Sequence, residues 1–162
     1  MSDNKPYTVE TYSVDRSIGY LVRRASTLIT EIIERTSLEQ GLNFTQWMAL
    51  KHLDNDPNLT LTELARRLNH DQGSLSRTVE QLDQQGFLAR RRCGSDRRQI
   101  RLELTPEGRA FVVAQTHHVV ALLNGILEPF SPEEIESLIS NLNKLVHRLE
   151  DFSKPGSTKS PD

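Results

Sequence analysis

The chain has 162 residues, of which 36% are hydrophobic, and its formal net charge is −2. This length suits one domain, or two small ones that share a core, and the hydrophobic content can fill such a core. A single cysteine, Cys93, excludes an internal disulfide and a cysteine-rich metal site. No stretch approaches the roughly 18 to 20 apolar residues that cross a bilayer, and the first residues lack the basic-then-apolar pattern of a signal peptide. We therefore expect a cytoplasmic protein without a membrane partner.

The first predicted element is a long helix over residues 13–40. Its apolar side chains recur every three or four residues, which places them on one helix face. They are Ile18, Leu21, Val22, Ala25, Leu28, Ile29, Ile32 and Ile33. Gly41 is predicted to end this helix, and residues 1–12 are predicted to form a flexible terminus.

A second helix is predicted between Asn43 and Pro57. Asn43 can cap the backbone while Gln46, at the third helical position, reaches back to the cap. Pro57 lies in the turn-forming sequence DNDPN and stops the helix.

The sequence from residue 60 to residue 86 has the pattern of a helix-turn-helix. Thr60 and Glu63 form a capping box for a short helix, and Asp71 is placed to cap the next one. Gly86 closes that second helix. Two short helices joined by about three residues form a helix-turn-helix, in which the second helix offers its first turn to a nucleic-acid groove.

A β-hairpin is predicted directly after Gly86, because the apolar periodicity changes there from 3.6 to 2. A basic strand leads into the turn CGSD, and QIRLELT follows with Ile100, Leu102 and Leu104 pointing inward. A hairpin in this position is the wing of a winged-helix domain. Residues 62–101 contain nine basic and five acidic side chains, a net of +4, so the remainder carries −6. This asymmetry indicates a surface that faces a polyanion, and the alternative is an exposed hairpin that arginines merely solvate.

Two long amphipathic helices are predicted to complete the chain. Thr105 and Pro106 start the first of them, a capping sequence from Ser131 starts the second, and residues 153–162 form a flexible tail. Together with the first helix, these segments would leave an apolar seam that a second copy could cover, which predicts a homodimer. The alternative is that the three helices pack within one chain as an ordinary bundle.

The segments LTELARRL, SLSRTVEQLDQQGFLARR and SDRRQIRLELTPEG together resemble the multiple antibiotic resistance regulator (MarR) family of bacterial winged-helix repressors. The family's wing pattern of an Asp and an Arg followed by Leu-x-Leu-Thr is met by residues 96–105. The resemblance extends over residues 13–150. It implies a mainly α (α+β) fold, with a winged helix-turn-helix DNA-binding domain over residues 43–105. Residues 13–40 and 106–150 would form a helical dimerisation region.

The resemblance also implies a function. A homodimer would bind a pseudo-palindromic operator in double-stranded DNA, usually as a repressor. A small aromatic or phenolic carboxylate would release the protein from the operator. Some members sense oxidants through a cysteine near the start of the first helix, and this chain has none there. The alternative is a winged-helix protein-interaction module whose wing binds acidic partners. An enzyme is not expected, because the sequence has no HExxH, P-loop or GxSxG motif.

The candidate DNA-binding residues lie on the second helix of the helix-turn-helix and on the wing. On the helix, short polar side chains and a glycine permit close approach to base edges, and an arginine can pair with guanine; the candidates are Gln72, Gly73, Ser74, Ser76 and Arg77. On the wing, arginines can reach phosphates or the minor groove; the candidates are Arg90, Arg92, Arg97 and Arg98. Asp96 is expected to orient an arginine or the turn. Two alternatives stay open: Ser74 and Ser76 could serve only the helix start, and Arg91 could meet phosphates in place of Arg90 and Arg92.

A ligand pocket is predicted from aromatic and basic side chains on the first two helices. Aromatic walls with an arginine suit an aromatic carboxylate, and for each residue alone the alternative is ordinary packing or surface charge. The candidates are Tyr12, Arg16, Tyr20, Arg23 or Arg24, Trp47 and His52. No metal or other cofactor is expected, because the adjacent His117 and His118 do not share a helix face. Cys93 is interpreted as a passive surface thiol, since no second cysteine could resolve an oxidised form.

Overall fold

The computed structural model describes residues 6–37, 41–57, 59–92 and 100–154. These residues form a 3₁₀ turn, six α-helices and one pair of strands. In chain order they are the turn Val14–Arg16, α1 Ile18–Ser37, α2 Phe44–Asn55, α3 Leu61–Arg67, α4 Gln72–Gln84, β1 Leu88–Arg92, β2 Ile100–Leu104, α5 Pro106–Leu127 and α6 Pro132–Ser153. The order and type of these elements confirm the predicted mainly α fold with a winged helix-turn-helix.

The first helix begins later than its predicted start at residue 13. Residues 14–16 form the 3₁₀ turn, and α1 starts at Ile18. The Ile18 N–H donates to the hydroxyl of Tyr7 at 3.0 Å, and the same hydroxyl donates to the Arg16 carbonyl at 3.1 Å. The segment before the turn therefore supplies an acceptor for the first N–H of α1, and Tyr7 lies outside the apolar pattern from which the helix was predicted.

The chain divides into two compact units, residues 1–119 and residues 120–162. The first unit has a core built from α2, α3, α4, the wing and the first half of α5. Its fully buried side chains are Leu50, Leu53, Leu64, Leu75, Val79, Leu82, Leu88, Leu102 and Val112. Burial of each such side chain contributes about 1.5–3 kcal/mol. Because α4 buries its Leu75, Val79 and Leu82 face in this core, its opposite face is left for other contacts.

Side-chain caps at three helix starts confirm the capping predictions. In each case the cap side chain accepts from the third helical N–H, and the third side chain accepts from the cap N–H, as in a capping box. The pairs are Asn43 with Gln46, Thr60 with Glu63, and Ser131 with Glu134. The Thr60 N–H (2.8 Å) and hydroxyl (2.7 Å) both donate to Glu63, which lowers the pKa of that carboxyl.

The helix-turn-helix turn is formed as predicted. Asn69 ends α3 with φ +50°, and the N–H of His70 donates to the Ala65 carbonyl at 2.9 Å. Gly86 ends α4 with φ +80°, a left-handed conformation that glycine adopts without steric cost. Asn69 and His70 thus form the turn between α3 and α4, and Gly86 marks the end of α4.

The wing is an antiparallel pair of strands in which Leu88 lies opposite Leu104. Leu102 and Leu104 are buried and Ile100 is half-buried, which confirms the predicted alternation along β2. The Leu102 N–H also donates to the carbonyl of Leu59, just before α3, at 3.3 Å. This hydrogen bond ties the wing to the start of the helix-turn-helix.

The second unit contains the end of α5 and all of α6. None of the residues Pro132–Ser153 of α6 is buried in the single chain. Large apolar side chains recur on its surface: Leu138, Ile139, Leu142, Val146, Leu149 and Phe152. By length and composition alone, α5 could also cross a membrane, although the core helix of a soluble protein passes the same test.

Candidate nucleic-acid interface

The first turns of α4 carry short polar groups and one arginine at the protein surface. Asp71 caps the helix, and its Oδ2 accepts from the Ser74 N–H at 2.9 Å. Gln72, Gly73 and Arg77 are exposed, whereas Ser74 is half-buried. Unpaired backbone N–H groups and the helix dipole favour an anion at such an end. The start of α4 is therefore chemically suited to a phosphate or to the edge of a base.

Two of these positions also have contacts within the protein. The Gln72 Nε2 donates to the hydroxyl of Thr62 on α3 at 3.2 Å. A Cβ added to Gly73 would lie 3.1 Å from the Asp71 Oδ2, so glycine leaves room for the capping carboxylate. Ser76 is half-buried, and within the described part of the chain the Arg77 guanidinium makes no ion pair. The structure thus brings the five helix candidates together, with Arg77 the one available cation among them.

Two arginines stand opposite each other on the outer face of the wing. Arg91 of β1 pairs in register with Arg101 of β2, and the Arg91 side chain is 70% exposed. Like charges directly across two strands destabilise the pairing. The Glu103 Oε2 lies 2.7 Å from the Arg91 Nε and offsets part of this repulsion. The three side chains together keep a net charge of +1 on the outer face.

Arg90 has a different environment. Its Nε lies 2.9 Å from the Asp83 Oδ2 on α4, an ion pair that joins the wing to that helix. The backbone of Arg92 pairs with that of Ile100 at the last paired position of β1 and β2. Three further wing candidates and the cysteine lie outside the described residues; they are Asp96, Arg97, Arg98 and Cys93.

The sequence candidates did not include Arg101, and they left Arg91 open. Alternation along β2 puts Arg101 on the outer face, but it does not say which residue of β1 lies opposite. That register depends on the length and shape of the turn and on which leucines meet in the core. The cross-strand arginine pair therefore becomes visible only in the folded wing.

One groove on α1 contains part of the predicted ligand pocket. It has a volume of about 370 Å³, and its lining includes Tyr20, Arg23, Arg24 and Glu31. The Arg24 Nη1 donates to the Tyr20 hydroxyl at 3.3 Å. Two guanidinium groups beside a phenol suit a carboxylate, and Glu31 at the same groove would oppose one.

The other ligand candidates do not line this groove in the described structure. Tyr12 packs edge-on against Tyr7, with ring centroids 5.6 Å apart, and donates its hydroxyl to Ser17 at 3.1 Å. Arg16 is exposed in the 3₁₀ turn. Trp47 is only 4% exposed and belongs to the core of the first unit. The six candidates therefore occupy several sites.

His52, the last ligand candidate, is a half-buried side chain near the end of α2. Burial lowers its pKa below the usual 6.5, and the nearby positive charge of Arg67 lowers it further. The Arg67 Nη2 is itself paired with the Asp56 Oδ2 at 2.7 Å. This environment favours a neutral imidazole.

Comparison with known proteins identifies a family that shares these features. Residues 40–99 match the sequence profile of the MarR family. A probable transcriptional regulator from Pseudomonas aeruginosa is 28% identical, with a TM-score of 0.74 over 82% of this chain and 99% of that one. Bordetella bronchiseptica BpsR, whose DNA binding is regulated by 6-hydroxynicotinic acid, is 25% identical, with a TM-score of 0.73 over 80% and 98%. A mutant of Escherichia coli MarR in complex with operator DNA shares the fold, at 21% identity, a TM-score of 0.72 and coverage of 79% and 92%.

Proposed function

We propose that this chain, whose residues 40–99 match the MarR family profile, is a winged-helix transcriptional regulator that binds a pseudo-palindromic DNA operator as a homodimer and acts as a repressor. The family consists of transcription regulators rather than enzymes. A small aromatic or phenolic carboxylate is the proposed signal that releases the DNA.

The observation that carries the DNA proposal is the pairing of Arg91 with Arg101 on the wing. The two arginines occupy opposing positions on the same face of the paired strands, although this arrangement of like charges costs stability. A phosphate placed over them would remove the repulsion and accept hydrogen bonds from both groups. The sugar-phosphate backbone of DNA is therefore a fitting partner for this face.

The start of α4 supports a second contact, with the bases. In a helix-turn-helix the N-terminal residues of the second helix enter the major groove. Gly73 and the short side chains of Ser74 and Ser76 would permit close approach, and Arg77 could donate to the O6 and N7 of guanine. We propose that Arg97 and Arg98 add contacts from the wing, with Asp96 orienting them.

Exposed apolar surface supports the homodimer. On α1, Leu21 and Leu28 are 46% and 47% exposed, and on α6 Leu142 and Val146 are 40% and 50% exposed. Large apolar side chains exposed on a helix surface mark interaction sites in soluble proteins when they form a patch. We propose that a second copy covers them, which makes residues 13–40 and 106–150 the dimerisation region and residues 43–105 the DNA-binding domain.

The groove on α1 supports the proposed effector. Tyr20 can stack on an aromatic ring, while Arg23 and Arg24 can pair with its carboxylate. The related BpsR responds in its DNA binding to 6-hydroxynicotinic acid, which is an aromatic carboxylate. Since the groove is lined by residues of α1, a second copy in the dimer would close it. Ligand binding would then be coupled to the distance between the two DNA-binding domains.

The test is fluorescence anisotropy of the full chain with a duplex from upstream of its own gene and with a shuffled duplex. If each protomer neutralises roughly four phosphates, log affinity should fall with log salt at a slope near −7. Footprinting should show half-sites about 10 bp apart, centre to centre. Salicylate should weaken operator binding, and 2-hydroxybenzyl alcohol, which keeps the phenol and lacks the carboxylate, is the matched control.

Equal and weak binding of both duplexes, together with a shallow salt slope, would refute the DNA proposal. Such a result would favour the protein-interaction module, in which the wing binds an acidic protein. If operator binding is specific but salicylate and 2-hydroxybenzyl alcohol have the same effect, the carboxylate part of the proposal is wrong.

A further inference from the structure

The side chain of Gln72 is held by a residue of the preceding helix. Gln72 is the first residue of α4, and Thr62 is the second residue of α3. The Gln72 Nε2 donates to the Thr62 Oγ1 at 3.2 Å, across ten positions of the chain. Both residues are exposed. The amide is therefore fixed at one end while it lies on the protein surface, at the start of the second helix of the helix-turn-helix.

This hydrogen bond leaves the other polar groups of the amide available. A glutamine amide has two N–H donors and one carbonyl oxygen. Thr62 accepts one of the donors, and among the described residues neither the second donor nor the Oε1 has a partner. The amide thus presents one donor and one acceptor, side by side, to a molecule that lies over the start of α4.

Adenine is the base that matches this pair of groups. In the major groove adenine offers N7 as an acceptor and the N6 amino group as a donor, and a glutamine amide can pair with both. Guanine offers two acceptors there, so its O6 would meet the Gln72 Oε1. Cytosine offers a donor alone, and thymine offers an acceptor and a methyl group. With its Nε2 held by Thr62, the amide is complementary to both groups of adenine and of no other base.

Fixing the amide before DNA binds also strengthens the contact. Immobilising a long, flexible side chain at an interface reduces affinity. Thr62 holds Gln72 in the free protein, so part of this loss occurs before binding. A threonine side chain is short, and its branch at Cβ restricts its rotation. Thr62 is therefore a stiff anchor for the longer glutamine.

We propose that Thr62 is a positioning residue that orients the Gln72 amide to read one adenine in each half-site of the operator. The Gln72 Oε1 accepts from the adenine N6 amino group, and the second N–H of Nε2 donates to N7. This inference rests on the proposed binding of DNA. It adds the base that Gln72 selects and the residue that orients the amide.

Selection of duplexes from a randomised pool by the full chain identifies the base that Gln72 reads. We expect the parent chain to enrich adenine at one position of each half-site, and Gln72→Ala to lose the preference at that position. A bidentate pair of glutamine with adenine corresponds to about five- to 150-fold discrimination. Replacing this adenine with 7-deazaadenine, which lacks N7, should weaken binding by the parent chain and leave binding by Gln72→Ala unchanged.

Threonine variants test the positioning role. Thr62→Val keeps the shape of the side chain and removes the hydroxyl, and it should reduce the preference for adenine about two- to tenfold. Thr62→Ser keeps the hydroxyl and should retain most of the preference. Thr116→Val is the matched control on α5, where the Thr116 hydroxyl donates to the Val112 carbonyl of its own helix at 2.7 Å. This control should select the same sequence as the parent chain.

Nitrogen-15 relaxation of the Gln72 side-chain amide measures the positioning without DNA. The heteronuclear NOE of Nε2 reports motion on the picosecond to nanosecond timescale. We expect this NOE to fall in Thr62→Val, because the amide is no longer held, and to stay near the parent value in Thr62→Ser. The melting temperature of each variant shows whether it has folded.

Three results would each overturn the inference. They are guanine in place of adenine at the position that Gln72→Ala affects, an unchanged preference for adenine in Thr62→Val, and an unchanged NOE in Thr62→Val. The last of these concerns the free chain, so it leaves the proposed operator intact. A parent chain that enriches no sequence, although its NOE depends on Thr62, would refute the operator itself and with it the reading of a base by Gln72.

Discussion

Gly108, in the first turn of α5, lies directly against the backbone carbonyl of Phe87. A Cβ added at this position would overlap the Phe87 oxygen and lie 2.9 Å from its carbonyl carbon. The same carbonyl accepts the N–H of Thr105 at 3.1 Å, while the Thr105 hydroxyl donates to the Gly86 carbonyl at 2.6 Å. The segment that precedes β1 and the segment that follows β2 are thereby held together by hydrogen bonds and a direct backbone contact.

Replacing Gly108 with alanine should destabilise the fold. The added methyl group meets backbone, which cannot rotate away, so we expect a loss of about 1–3 kcal/mol in the free energy of unfolding. Urea unfolding would measure it as a lower midpoint at a similar slope. Gly125→Ala is the control on the same helix, because nothing lies within 4 Å of its added Cβ. That variant should lose no stability, and an equal loss in both would contradict the steric explanation.

Substitution of Arg77 should impair recognition of DNA. Arg77 is exposed at the start of α4, and loss of a bidentate contact to guanine costs about 1–3 kcal/mol per protomer. Arg77→Ala should therefore reduce the discrimination between operator and shuffled duplex, measured by anisotropy at fixed salt. Arg35→Ala removes the same charge from the end of α1 and should leave discrimination unchanged. An unaltered ratio in Arg77→Ala would exclude a contact between Arg77 and the bases.

Removal of the Glu103 carboxylate should strengthen DNA binding at the expense of stability. Glu103→Gln leaves the like charges of Arg91 and Arg101 without a compensating carboxylate, which should lower the free energy of unfolding by up to about 1 kcal/mol. The affinity for duplex DNA should rise, and the salt slope should become steeper. Glu136→Gln on α6 is the control for the change in net charge. Weaker binding in Glu103→Gln would mean that the carboxylate positions Arg91 for DNA.

A charge on the exposed face of α6 should prevent association. Leu142 is 40% exposed in the single chain, and burial of a lysine there against a second copy would be costly. We expect Leu142→Lys to elute as a monomer in size-exclusion chromatography with light scattering, while the parent chain elutes as a dimer. Asn141→Lys, at an exposed polar position, should remain dimeric. A parent chain that is monomeric at all concentrations would refute the proposed dimer.

His52 should make stability fall on acidification. Since burial and Arg67 lower its pKa below the usual 6.5, the unfolded chain takes up a proton before the folded chain does. The free energy of unfolding should therefore decrease as the pH drops through 6.5 towards the lower folded pKa. NMR titration of the imidazole measures that pKa directly, and Arg67→Gln should raise it. His52→Gln should flatten this part of the pH profile, and an unchanged profile would show that another group is responsible.

Local features of this protein were predictable because each depends on residues a few positions apart. The capping boxes, such as that of Thr60 and Glu63, form within one helical turn. The glycine at residue 86 and the alternation along β2 are equally local. Helix start, helix end and strand period are set by short-range sterics and hydrogen bonds, so the amino-acid order alone specified the winged helix-turn-helix.

The details that decide the surface chemistry depended on the tertiary structure. The strand register set Arg91 against Arg101, and packing of the wing on α4 placed Arg90 beside Asp83. Trp47, a ligand candidate from its position in the sequence, was placed in the core. Such relationships join residues on different secondary-structure elements, and they arise only when the core selects one register and one packing out of many.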